Sequence, residues 1–334
     1  MIRYTLLCCF LCCIGLNAQN TNLSIEQKMD NYSKRVKTQW KYNPLRNPET
    51  DKYFSGYADI NNYNTKFWFG TIFNAEKLYN NKNFTINKVI IFHSPTLSTE
   101  LAPIAFNINE ETHRIRIGVA YSAKFNFAHY QYKYDKLYGT SFLFSTYMQV
   151  EAYFDYIFKN KLKIRFAPLK HVCYHMGGDI LGDTSLHDKT KDEFIDVGFE
   201  QMHIAAYYRW GWFSFYGGTL FVITGFKKSN LVNIFTLYAG SDFRFPLWGE
   251  MNLITGVYIA GEYDEFNRID RKAAGEGYNA IESIYKWSPS ISVALGIEIY
   301  RFAIGVKYEY LRSRQLYAFR KMESKIGLEA SLFF

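Results

Sequence analysis

Residues 113–127, HRIRIGVAYSAKFNF, show the pattern that decides the fold, because two kinds of side chain alternate along them. The odd positions from 115 to 127 carry Ile, Val, Tyr, Ala and Phe, whereas the even positions from 114 to 126 carry Arg, Gly, Ala, Ser, Lys and Asn. Successive side chains of a β-strand point to opposite faces. This strand therefore has one face suited to lipid and one suited to water, as in a membrane-spanning β-barrel.

The same alternation recurs along most of the chain. Residues 213–226 and 249–263 predict strands with a less regular pattern, and residues 65–73 and 84–93 are weaker candidates, the latter ending at Ser94 and Pro95. We therefore predict an all-β fold, a transmembrane antiparallel β-barrel of about 10–12 strands with a short N-terminal helix. The clearest strands are residues 113–127, 141–158, 162–176, 201–210, 233–245, 290–300, 301–310 and 325–334.

The composition agrees with a membrane barrel. Aromatic residues make up 19% of the chain and charged residues 21%, a mixture expected where strands separate lipid from a polar lumen and aromatic rings gather at the interfaces. After the first residues, no segment has the roughly 20 apolar residues that a spanning helix requires. The formal net charge of +8 comes from Lys and Arg spread along the chain. This spread argues against nucleic-acid binding and favours attraction to anionic lipid headgroups or acidic solutes.

The chain begins with the layout of a secretory signal peptide. Residues 1–18 combine a basic start at Arg3 with an apolar run and a polar exit. Four of the five cysteines lie there, so an exported chain keeps Cys173 alone and has no intramolecular disulfide framework. Residues 19–64 predict a periplasmic segment with a helix at 23–42 and a loop, and residues 65–334 predict the barrel. The predicted location is the bacterial outer membrane.

Short and long connections alternate between the predicted strands. The tight turns are at residues 159–160, 210–211, 246–248 and 300–301, and the longest polar loops are 176–193 and 264–286. In outer-membrane barrels the tight turns face the periplasm and the long loops face outside. Trp210, Trp212 and Trp248 fall at tight turns, as a periplasmic aromatic girdle requires.

Residues 161–183, KLKIRFAPLKHVCYHMGGDILGD, bring His, Cys and Asp together in one strand and the loop after it. A symmetric hairpin through residues 159–161 would place Asp155 opposite Arg165 and Tyr147 opposite Cys173, while a bulge at Pro168 would reverse the faces beyond it. Uninterrupted alternation places five side chains on the lumen face: Lys163, Arg165, His171, Cys173 and His175.

Several kinds of chemistry are open to these residues. His171 and His175 are roughly 13 Å apart on a strand, so they cannot share one metal ion, and His203 could only complete a partial set. Cys173 beside His171 or His175 predicts a nucleophilic thiolate pair instead. We expect no metal and no cofactor. The candidate catalytic residues are His171, Cys173 and His175, and the candidate binding residues are Lys163, Arg165, His203, Asp179 and Asp183.

The run HVCYHMGGD, residues 171–179, resembles the H-x-S-S-H-x-G-D motif of an uncharacterised outer-membrane family known only as a domain of unknown function. His171, His175, Gly177 and Asp179 fill motif positions, Cys173 and Tyr174 replace the two serines, and Gly178 is an insertion. The chain end resembles the C-terminal assembly signal of outer-membrane proteins, and the abundance of Asn, Lys and Tyr resembles exported proteins of the Bacteroidetes.

The chain is also similar in outline to the outer-membrane phospholipase A family, which has a comparable number of strands and an H-x-S-x-G nucleophile motif. Here Cys173 replaces the Ser, and His175 falls at the Gly position. The predicted lumen orientation also differs from the catalytic pair of that family, which faces lipid.

We expect a narrow, porin-like channel or a receptor for a small solute, because side chains largely fill a barrel of this size. Two alternatives stay open: a lipid hydrolase that uses Cys173 with His171 or His175, and a structural or adhesive surface barrel that acts through residues 176–193 or 264–286. The expected partners are outer-membrane lipid and a small solute, without nucleic acid, and the oligomeric state stays open.

Overall fold

The computed structural model describes residues 51–73, 91–108, 112–129, 141–176, 197–225, 229, 231–249, 251–269, 280–314 and 321–333. Each strand in this part of the chain is antiparallel to its sequence neighbours, and β1 pairs with β12, which closes a twelve-stranded barrel. The strands are β1 Thr65–Ile72, β2 Ile91–Ile108, β3 His113–His129, β4 Ser141–Phe158, β5 Leu162–Met176, β6 Val197–Trp210, β7 Phe213–Gly225, β8 Leu231–Trp248, β9 Met251–Ile269, β10 Ala280–Ile299, β11 Phe302–Arg312 and β12 Met322–Leu332.

The two faces of the wall have opposite character, as the alternation predicts. In β5, Lys163 and Arg165 are each 1% exposed on the lumen side, whereas Ile164 and Phe166 are 41% and 40% exposed on the outer side. An apolar outer band around a polar interior is the architecture of a transmembrane barrel. The predicted fold class is therefore confirmed, at the upper end of the predicted strand range.

Some strand bounds differ from the prediction. β2 continues through Pro95, which lies opposite Phe67 of β1, and the residue pairs between β2 and β3 pass from His93 directly to Thr96. This gap accommodates a residue without an N–H donor. β9 reaches Ile269 and β10 begins at Ala280, so much of the predicted loop at 264–286 is strand.

The tight turns lie where the sequence predicts them. Lys159 and Asn160 both have positive φ, 48° and 52°, as in the primed turns that suit a two-stranded hairpin. Tyr300 has φ 58°, and the turn between β8 and β9 is centred on Gly249, with φ 57°, just after the predicted position. Exposed tryptophans mark this end of the barrel: Trp210 at 67%, Trp212 at 53% and Trp248 at 70%.

A bulge in β5 reverses the strand's faces at Pro168. Between residues 167 and 170, β5 has one residue more than β4 and one more than β6. As a result Lys170, Val172 and Tyr174 are buried in the lumen at 1%, 2% and 2% exposure.

The prediction that His171, Cys173 and His175 face the lumen is wrong, because the bulge places them on the outer face. Cys173 lies opposite Met148, whereas the symmetric hairpin predicted Tyr147.

Residues 51–64, which we call the inner segment, lie inside the barrel. They include a short 3₁₀ helix, Lys52–Phe54. The backbone N–H of Tyr57 donates to both carboxylate oxygens of Asp242, at 3.0 and 2.8 Å. Gly296 and Gly305 face each other across β10 and β11, and a Cβ on either would lie 2.7 Å from the Tyr57 hydroxyl, so these glycines make room for the ring.

The predicted signal peptide and N-terminal helix lie outside the described residues, so the predicted division of the chain into three segments stays a prediction. No helix in the described part of the chain is long and apolar enough to cross a membrane.

Candidate active site

Three neighbouring strands bring a histidine, a glutamate and a threonine together on the outer face. His171 of β5 lies directly opposite Glu200 of β6, and Glu200 lies opposite Thr224 of β7. His171 Nδ1 is 3.2 Å from Glu200 Oε1. The Thr224 hydroxyl donates to Glu200 Oε2. The carboxylate is thus held between a hydroxyl and the imidazole, whose orientation it sets.

Cys173 lies two residues beyond His171 on the same face of β5. Same-face neighbours on a strand are about 6.6 Å apart at their Cα atoms, so a rotation of either side chain brings thiol and imidazole close. The residue opposite Cys173 in β6 is Gly198, which has no side chain. The wall therefore leaves space beside the sulfur on the β6 side. Cys173 forms no disulfide within the described part of the chain, and its exposure is intermediate.

The height of Cys173 in the wall is that of an exposed aromatic belt. Cys173 lies about 11 residues above the tight-turn end of β5, and Trp287 lies about 12 residues above the same end of β10. Trp287 is 57% exposed and stacks on Tyr263 with ring centroids 4.9 Å apart. With a strand tilt near 45°, 11 residues span about 25 Å, which is the height of the apolar band. Cys173 therefore lies at the outer lipid–water interface.

Of the remaining predicted site residues, only His175 lies beside Cys173. His175 is on the same outer face, one step nearer to the outer end of β5. Asp179 and Asp183 lie outside the described residues. His203 faces the lumen, so the wall separates it from His171 and Cys173, and these three residues do not form a metal site. Among the described residues, no group of three His, Cys, Asp or Glu side chains is arranged to hold a metal ion.

Arg165 is the centre of a buried ion network in the lumen. Its Nε and Nη2 donate to Asp155 at 2.7 and 2.9 Å, which confirms the predicted pair. Its two Nη atoms also donate to Glu100 at 2.9 and 3.1 Å, and Nη1 lies 3.3 Å from Glu151. All five donors of a guanidinium are suited to such a fork. Arg165 therefore holds three carboxylates together.

His203 and Lys163 also contact partners within the protein. His203 Nδ1 lies 2.9 Å from Glu151 and Nε2 lies 2.8 Å from the Tyr238 hydroxyl. Lys163 donates to the carbonyl of Phe54 at 3.1 Å, and its ammonium lies 4.0 Å from the centre of the Tyr207 ring. Lys163 thus joins the inner segment to the wall, and His203 joins β6 to β4 and β8 within the wall.

The inner segment extends this network across the lumen. Asp51 accepts from Arg116 at 2.7 Å. The Tyr63 hydroxyl donates to Glu151 at 3.1 Å. Burial and the nearby Glu151 charge raise the pKa of Tyr63, so the hydroxyl stays protonated as the donor.

Sequence reasoning missed Glu200 and Thr224. A long connection joins β5 to β6, so no turn fixes the register of that pair as the tight turn does for β4 and β5. The partner of His171 therefore carried no signal in the sequence. The signal that was available is Pro168, because proline within a strand favours a bulge.

The closed barrel, its apolar outer face and its aromatic belts define the class of protein: this chain is an outer-membrane β-barrel of a bacterium.

Solved structures of outer-membrane barrels are similar to it in fold. An active-site mutant of outer membrane phospholipase A from Escherichia coli is 12% identical, with a TM-score of 0.46 over 89% of this chain and 96% of that chain. The calcium-bound outer membrane phospholipase dimer of Salmonella typhi is 12% identical, with a TM-score of 0.45 over 80% of this chain and 89% of that chain. LpxR from Salmonella typhimurium is 11% identical, with a TM-score of 0.37 over 81% of this chain and 100% of that chain. No family model and no curated protein matches the sequence.

Proposed function

We propose that this barrel is a hydrolase of acyl esters in outer-membrane lipid, with Cys173 as nucleophile, His171 as general base and Glu200 as the group that orients the base. The observation that carries the proposal is the His171–Glu200 hydrogen bond on the lipid-facing side of the wall. A nucleophile, a base and an orienting carboxylate are the three parts that activated nucleophiles share across unrelated folds.

The hydrogen bond assigns the nitrogens of His171. With Nδ1–H donating to Glu200, Nε2 is the nitrogen that accepts the thiol proton of Cys173. The resulting thiolate attacks the ester carbonyl carbon, and the carbonyl oxygen becomes an oxyanion. The imidazolium then returns its proton to the leaving alkoxide, which leaves the acyl group on the sulfur as a thioester. Water, deprotonated by His171, hydrolyses the thioester and releases the fatty acid.

The position of the cluster fits a lipid substrate. Ester groups of lipids lie where the acyl chains meet the headgroups, and Cys173 lies at the height of the outer aromatic belt. Because Gly198 has no side chain, the outer surface of the wall is recessed beside Cys173. An acyl chain can therefore lie against the apolar outer face while its ester reaches the sulfur.

A channel has less support than a hydrolase, because the inner segment crosses the lumen and bonds to several strands of the wall through its backbone and side chains. An adhesive role through residues 176–193 depends largely on residues outside the described part of the chain, and much of the other predicted loop, 264–286, is strand.

The test is fatty-acid release from vesicles of phospholipid and of lipopolysaccharide by the purified full chain. Cys173→Ala and His171→Ala should each lower the rate roughly 10³-fold, and Glu200→Gln should lower it less, because the amide still holds the ring but loses the charge. His113→Ala is the matched control, because His113 lies near the tight-turn end and bonds to Tyr156 at 2.7 Å. Unchanged release by both Cys173→Ala and His171→Ala would refute the assignment.

His175→Ala is a further variant in this experiment. His175 lies on the same face as Cys173, so His175→Ala tells which of the two histidines is the base. The hydrogen bond to Glu200 predicts that His171→Ala has the larger effect.

A further inference from the structure

The outer half of the lumen holds a cavity of about 50 Å³. Ile60 and Asn62 of the inner segment line it, as do Ile72 and Phe92 at the outer ends of β1 and β2. We call it the lumen cavity. At roughly 10–15 Å³ for each ordered water, it has room for about four waters or for one small oxyanion.

Basic side chains outnumber acidic ones around the lumen cavity. Most of the basic side chains belong to β1, β11 and β12, the strands at and beside the pairing that closes the barrel. Six cations line it, Lys66, Lys124, Lys307, Arg312, Arg314 and Lys325, against three carboxylates, Glu309, Glu323 and Glu329.

Ion pairs within the wall account for three of the cations. Lys307 Nζ lies 3.1 Å from Glu329 Oε2, and Lys325 Nζ lies 2.7 Å from Glu309 Oε2. Arg312 Nε lies 2.7 Å from Asp264 Oδ2. Two of the three lining carboxylates, Glu309 and Glu329, are therefore paired with Lys325 and Lys307, and Glu323 accepts a hydrogen bond from the Ser313 hydroxyl.

The positive charges of the other three cations have few partners. Lys66 and Lys124 make no hydrogen bond or ion pair within the described part of the chain, although both line the cavity. Arg314 donates to the side-chain oxygen of Asn61 at 3.0 Å and lies 5.1 Å from the Tyr147 ring. Its Nε is buried and lacks a hydrogen-bond partner among the described residues.

We propose that the lumen cavity binds a small dianion, of the class of phosphate or a small phosphorylated solute. Confined like charges without a carboxylate in an ion pair are unfavourable, and a bound anion would convert their mutual repulsion into attraction. Lysine binds phosphate as a compact point charge, and the Arg314 Nε–H adds a directed donor. The barrel wall stands between the cavity and the bilayer, so a dissolved anion rather than a lipid headgroup is the ligand.

The experiment is a calorimetric titration of the full chain with inorganic phosphate at pH 7, in a neutral detergent that contains no phosphate. We expect saturable binding that equal concentrations of chloride do not displace. Lys66→Gln and Lys124→Gln should each weaken binding about tenfold, and the double variant about a hundredfold, because each removes one charge-assisted contact. Lys161→Gln, which removes an equal charge at an exposed turn, should bind as the parent protein does.

The unfolding temperature of each variant, measured with and without phosphate, shows whether the variant is folded and whether it binds phosphate. Without phosphate the double variant should unfold at the same temperature as the parent or a higher one, because it loses repulsion rather than a partner. Phosphate should raise the unfolding temperature of the parent and not that of the double variant. Absence of phosphate binding by the parent, displacement by chloride, or equal binding by the folded double variant would each overturn the proposal.

Discussion

At the scale of single residues, Arg165 shows how this barrel tolerates charge in its interior. The side chain is 1% exposed and contacts Glu100, Glu151 and Asp155. Burying a charge is costly unless partners surround it, and removing one partner leaves the others uncompensated. The network is thus a stabilising element only as long as it is complete.

Arg165→Met should therefore destabilise the barrel by about 3–5 kcal/mol. Arg165→Lys should cost less, because it keeps the charge but loses the planar fork that reaches three carboxylates at once. Urea unfolding of the refolded protein in lipid vesicles measures both. Lys161→Met is the control for loss of one positive charge, with a change within about 0.5 kcal/mol expected at its exposed turn. Similar midpoints for Arg165→Met and the control would mean that the network does not stabilise the fold.

At the scale of elements, the alternation of side chains predicts the strands of the wall but not the bulges and strand ends that depart from it. β4 and β5 have the predicted bounds, because their alternation is regular and a tight turn joins them. The same turn fixes Asp155 opposite Arg165. β2 and β10 differ from the prediction, because strand propensity at Pro95 and in residues 280–286 is weak and pairing with neighbours decides the outcome.

The candidate site was predictable only in part for the same reason. Its residue types are visible in the sequence, but its orientation depends on a one-residue bulge at Pro168, and a one-residue slip exchanges the two faces of a strand. Glu200 depends in addition on the register across a long connection. The inner segment has no periodic pattern, so its place inside the barrel could not be inferred from its sequence.

The bulge makes a prediction that a single cysteine can test. Cys173 should react with a lipid-soluble maleimide in vesicles, whereas a thiol at position 172 should not, because Val172 is 2% exposed and faces the lumen. The variant that combines Val172→Cys with Cys173→Ala moves the thiol by one residue and changes little else. Mass spectrometry measures the labelling, and Cys173→Ala alone gives the background. Stronger labelling at 172 than at 173 would restore the uninterrupted alternation and remove the basis of the active site.

At the scale of the whole molecule, the inner segment joins the strands from within. It bonds to Arg116 of β3 and Glu151 of β4, which are neighbouring strands, and to Asp242 of β8 in a separate part of the wall. Buried tyrosines pack around it, among them Tyr207, Tyr216, Tyr238 and Tyr258. The lumen is therefore a core, filled by polar and aromatic side chains, and the wall is free to act through its outer face.

This arrangement predicts the electrical behaviour of the barrel. The full chain in a planar bilayer should give no steady conductance steps, because the inner segment and the Arg165 network occupy the lumen. A variant without residues 19–63 loses one partner each of Arg116, Glu151 and Asp242, and it should conduct if it still resists protease as a folded barrel does. The deletion leaves the β5–β6 surface intact, so ester hydrolysis should persist in the same preparation. Large, regular steps from the full chain would instead support a channel, and they would require a route through the lumen that the inner segment does not close.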